Sequence, residues 1–100
     1  MKIEFERSGG LTGQYITATI DTQCLDAVEV RRLQELIASA AFFELPSHLP
    51  DAAPAIPDQF YYKVSIVDEG QSHSIETTDG AAAAELRPLL HHLTRLARRF

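Results

Sequence analysis

The sequence predicts an α+β two-layer sandwich: a four-stranded, mainly antiparallel sheet carrying two helices on one face. Three observations lead there. Four segments alternate apolar and polar residues with period two, two others repeat apolar residues at helical spacing, and together they follow the order ββαββα. At 100 residues, 45% hydrophobic and 23% charged, the chain has the size and composition of one domain spanning 1–100. A chain of this length buries roughly two-thirds of its unfolded surface, enough for a core without metal or disulfide.

The first strand is read from residues 1–8, where Ile3 and Phe5 alternate with Lys2, Glu4 and Glu6. A break at Ser8-Gly9-Gly10-Leu11-Thr12-Gly13 follows. Residues 14–21 then alternate Ile16, Ala18 and Ile20 with Tyr15, Thr17 and Thr19, so the first 21 residues form a β-hairpin with a Gly-rich tip. The next helix is the most fully specified element. Asp26 is its N-cap, Glu29 completes a capping box, and Leu25 with Val30 supplies the hydrophobic staple. Its apolar stripe (Val30, Leu33, Ile37, Ala40) carries it to about Phe43, and Leu45-Pro46 closes it.

Residues 44–58 hold Pro46, Pro50, Pro54 and Pro57 with little periodicity, which marks a long, stiff connection and a candidate contact surface. Residues 59–67 put Phe60, Tyr62, Val64 and Ile66 on one strand face and Tyr61, Lys63, Ser65 and Val67 on the other. Asp68-Glu69-Gly70 turns the chain into a more polar strand at 72–78 that reads as an edge. The last helix starts near Arg87-Pro88, since proline is comfortable at a first helical position, and presents Leu89, Leu90, Leu93 and Leu96 on one face. A crossover from the second strand to a parallel third strand would bring the Gly-rich tip and the 44–58 connection to the same end of the sheet.

Charge narrows the function. Residues 1–86 carry five basic against fourteen acidic side chains, and residues 87–100 carry four Arg and no acid. An acidic body argues against a phosphate-binding surface, so no nucleic-acid partner is expected, and the terminal Arg cluster complements a helix C-terminus. No apolar run approaches the roughly 20 residues of a membrane span, and the start of the chain lacks the apolar core of a secretory signal. The reading is a cytoplasmic protein with no membrane partner, and a monomer is favoured. Cys24 has no second cysteine to pair with.

Catalytic chemistry is not visible. His48, His73, His91 and His92 show no i, i+4 pair, and there is no CxxC, so no metal or other cofactor is expected. GxSxG is absent, and Ser8-Gly9-Gly10 lacks the rest of a phosphate-binding loop. Asp68-Glu69 reads as a solvated turn. The sequence thus describes a binding protein rather than an enzyme.

Several stretches then point to a family. Phe5-Glu6-Arg7-Ser8-Gly9-Gly10-Leu11-Thr12-Gly13, the Phe42-Phe43-Glu44-Leu45-Pro46 end of the helix, Asp58-Gln59-Phe60-x-Tyr62, the turn leading to His73, and Leu86-Arg87-Pro88-Leu89-Leu90 together resemble the emfourin family. The resemblance spans nearly the whole chain, and the segment around Ser8-Gly9-Gly10 is its most specific part. Ala41 departs from the acid expected before the Phe-Phe pair, and Leu11 stands where an aromatic is as frequent. The resemblance implies a bacterial protein inhibitor of protealysin-like, thermolysin-type zinc metallopeptidases, with no catalysis of its own.

On that implication the tip is the candidate contact. Leu11 suits the pocket for a bulky apolar side chain just after the scissile bond, and Gly9, Gly10 and Gly13 allow close backbone approach. Ser8 and Thr12 offer hydrogen bonds. Glu44 or Asp51 is a candidate carboxylate for the open position of the peptidase zinc. The alternative is a non-catalytic interaction module that pairs through the edge strand at 72–78.

Overall fold

The computed structural model describes residues 1–9, 13–47, 59–78 and 84–99. Gly10, Leu11, Thr12 and Asp51 lie outside the described residues, as does most of the 44–58 connection. The elements are β1 (Lys2–Gly9), β2 (Gln14–Asp21), α1 (Ala27–Ala40), β3 (Phe60–Asp68), β4 (Gln71–Thr78) and α2 (Arg87–Ala97). They form the α+β fold read from the sequence, with sheet order β2-β1-β3-β4 and every neighbouring pair antiparallel. Because β2 and β3 both pair antiparallel with β1, they run parallel to each other with β1 between them.

The period-two pattern sorts the strands into two faces. Ile3, Phe5, Ile20, Val64, Ile66 and Ile75 point inward and pack in one hydrophobic cluster with Leu33 and Ile37 of α1 and Leu89, Leu93 and Leu96 of α2. The other face carries Glu4, Thr17, Thr19, Lys63 and Ser74 into solvent. Burial of one face fixes the register, since a one-residue slip would exchange the two sets.

Asp26 caps α1 as expected, its side chain accepting a hydrogen bond of 2.8 Å from the Glu29 amide. The capping box is only half made, because the Glu29 carboxylate reaches His92 of α2 instead. The helix also stops earlier than its stripe suggested, at Ala40 rather than near Phe43. Ala41 takes a left-handed conformation (φ 50°) and residues Phe42–Glu44 make a single 3-10 turn. The cause is non-local. The break turns Phe42 into the core, where its ring meets His73 edge-on at 5.6 Å. Between β3 and β4, Glu69 (φ 43°) and Gly70 (φ 84°) both have positive φ, the signature of a two-residue type I′ hairpin. Pro88 falls in the first turn of α2, as predicted.

The strand at 72–78 is an edge strand, as the sequence reading had it, since β4 ends the sheet order. The stretch following α1 lies along it: the Glu76 amide donates to the Ser47 carbonyl at 2.9 Å, and His73 Nε2 bonds the Leu45 carbonyl at 2.6 Å. β2, at the opposite edge, pairs only with β1 among the described residues.

Candidate functional site

β1 runs out to Ser8 and Gly9, and the chain re-enters the sheet at Gly13-Gln14. Gly9 faces Gln14 on one side and Phe60 on the other. Its φ of 103° is a conformation L-residues rarely adopt, and a Cβ there would stand 2.5 Å from the Gln59 carbonyl oxygen. Glycine is therefore required for two separate reasons. The close approach sets the end of β1 against the buried Gln59, where the long connection enters β3. Gly13 also has positive φ (64°), but open space surrounds it.

The parallel course of β2 and β3 thus brings Gln59, the described residue at which the long connection enters β3, beside Gly9, whereas the sequence had placed the connection as a whole at this end. Its beginning lies elsewhere. Glu44 lines a shallow hollow with Met1 and Asp68 at the opposite end of β1 and β3. With about 3.4 Å per residue, the eight residues of β1 separate the two ends by roughly 24 Å. Of the residues predicted to act together, Ser8, Gly9 and Gly13 are gathered at one end and Glu44 is at the other. Gly10, Leu11, Thr12 and Asp51 fall outside the described residues.

Several residues near the tip were not singled out by sequence reasoning. On the inner side, the Arg7 guanidinium lies 3.5 Å above the centroid of the Phe60 ring. Its Nε and one Nη are buried with no hydrogen-bond partner among the described residues. On the outer side, Tyr15 and Tyr61 are 64% and 49% exposed, and both are paired in register with Ser8. The Tyr15 hydroxyl donates to Glu6 Oε1 at 2.8 Å, and that bond raises the phenol pKa above its ordinary 10.0. The signal for the tyrosines was present in the alternation of each strand, but the row appears only once strand order is known.

His92 and His73 have structural duties. His92 Nε2 lies 2.5 Å from Glu29 Oε1 and its Nδ1 lies 3.2 Å from an Arg95 Nη, so Nδ1 accepts and Nε2 carries the proton. His73 joins β4 to Leu45 and Phe42. Among the described residues no three His, Cys, Asp or Glu side chains group to hold a metal ion, and no helix is long and apolar enough to cross a membrane. What the tip end offers chemically is recognition: a backbone kept bare by glycine, flanked by hydroxyls and aromatic rings.

In comparison with known proteins a family model, Emfourin, matches residues 5–94 and so takes in the hairpin segment and most of α2. No curated protein and no solved structure matches the chain.

Proposed function

The chain belongs to the Emfourin family, and from that premise we propose that it inhibits a thermolysin-like, protealysin-type zinc metallopeptidase by placing its hairpin tip in the active-site cleft. Membership implies a protease-inhibitor role toward metallopeptidases, and the cleft-blocking mode is our reading of the tip. The supporting observation is Gly9, whose φ and close approach to Gln59 leave no room for a Cβ at the end of β1. A backbone without Cβ atoms enters a narrow cleft where a larger residue would clash. In this reading Leu11 fills the apolar pocket beyond the scissile bond, Ser8 and Thr12 hydrogen-bond to the cleft, and the protein acts as a monomer in the bacterial cytoplasm without catalysing a reaction.

The test is a titration of residual peptidase activity against the purified chain. Stoichiometric loss of activity is expected. Leu11→Ala should raise the inhibition constant about 30-fold, the equivalent of about 2 kcal/mol for an anchor in a desolvated pocket. An unchanged constant removes Leu11 from the mechanism, and no inhibition by the folded wild type removes the reading itself. The alternative, association through a sheet edge, loses ground at β4, where the Ser47 carbonyl already occupies the Glu76 amide.

A further inference from the structure

The sheet has two faces at the tip end, and the structure distinguishes them. The inner side continues into the layer occupied by the helices. The outer side continues into the uncovered face of the sheet, where the register sets Tyr15 of β2, Ser8 of β1 and Tyr61 of β3 side by side in one row. Two neighbouring strand spacings put the tyrosine Cα atoms about 10 Å apart. Ser8, small and half-buried, lies between them in the register. Directly below, the next rows form a shallow groove of about 410 Å³ lined by Glu4, Glu6, Thr17, Thr19, Lys63 and Ser65.

We propose that the metallopeptidase sits over this open face, with Tyr15 and Tyr61 as aromatic anchors beside the inserted tip and a basic side chain of the peptidase answering Glu4. This rests on the inhibitor reading and adds to it the side of the molecule that the target covers. Exposed tyrosines join a large apolar ring to a polar hydroxyl at low entropic cost, which suits them to dominate a contact. The bond from Tyr15 to Glu6 holds one of the rings in place before binding. Away from the tip the same face changes character: its next rows are hydroxyls and charges, and among the described residues the aromatic pair occurs only at the tip end. Glu4 completes the argument by charge. Its neighbours across the strands are Thr19 and Ser65, and no cation pairs with it among the described residues.

Val67 provides an internal control. It is as exposed as Tyr61 (52%), on the same strand and the same face, but it pairs with Lys2 at the far end of the sheet. In the inhibition titration, Tyr61→Ala and Tyr15→Ala should each raise the inhibition constant about tenfold or more, and Val67→Ala should leave it unchanged. Glu4→Gln should weaken association a few-fold and flatten its dependence on ionic strength. Nitration of the free chain by tetranitromethane, read by mass spectrometry, should modify Tyr15 and Tyr61 and be suppressed at both in the complex. Wild-type inhibition by both alanine variants together with undiminished nitration in the complex would overturn the proposal while leaving the inhibitor reading intact. No inhibition by the wild type would end both.

Discussion

Gly9 shows how much a single residue contributes to the tip. Alanine at this position would suffer an unfavourable φ and would also push its Cβ against the Gln59 carbonyl, a backbone atom that cannot swing aside. Alanine at Gly13 would suffer only the first of these, roughly 1–2 kcal/mol for a left-handed residue. Gly9→Ala should therefore lower the melting temperature clearly more than Gly13→Ala, with each kcal/mol worth about 4–8 °C in a domain this small. Thermal unfolding followed by circular dichroism checks the order, and equal losses would show that the contact with Gln59 relaxes freely. Arg7 lies on the same strand two residues earlier. Its guanidinium stacks on the Phe60 ring, which offsets part of the cost of burying two donors that have no partner among the described residues.

The helices make the corresponding point at the scale of elements. α1 and α2 are tied by Glu29 and His92, with Arg95 on the far nitrogen of the imidazole. Glu29→Ala would leave the His92 Nε2–H without its acceptor in a site where the histidine side chain is 10% exposed. The expected loss is about 1–3 kcal/mol, read as a lower midpoint in urea or heat. Glu29→Gln keeps an acceptor oxygen and should lose less. Equal stability of all three proteins would mean that the pair does not hold the helices together. The N-terminus of α1 was legible in the sequence because a cap is a local interaction between Asp26 and the amide three residues on. Its C-terminus was not, because Ala41 turns left-handed in favour of Phe42, whose partner His73 is far away in sequence. The Glu29–His92 bond joins residues 63 positions apart and was hidden for the same reason.

At the scale of the whole molecule, strand alternation revealed which face of each strand is buried but not which strand lies beside which. That is why the tyrosine row went unseen: Tyr15 and Tyr61 become neighbours of Ser8 only when β1 takes the middle position between β2 and β3. The same topology divides the long connection, setting its entry into β3 at Gln59 against Gly9 and its start at Glu44 near Met1 and Asp68. Two carboxylates looked interchangeable in the sequence as ligands for the peptidase zinc, and the fold places one of them, Glu44, away from the tip end. A side chain roughly 24 Å from the tip by strand length cannot reach a metal that the tip approaches. Glu44→Gln should accordingly inhibit as well as the wild type in the activity titration. Asp51→Asn is the variant that tests zinc ligation, with a weakened constant expected if its oxygen binds the metal. A large loss from Glu44→Gln with stability unchanged would place the target at the opposite end of the sheet and would count against both the tip and the tyrosine row as the contact surface.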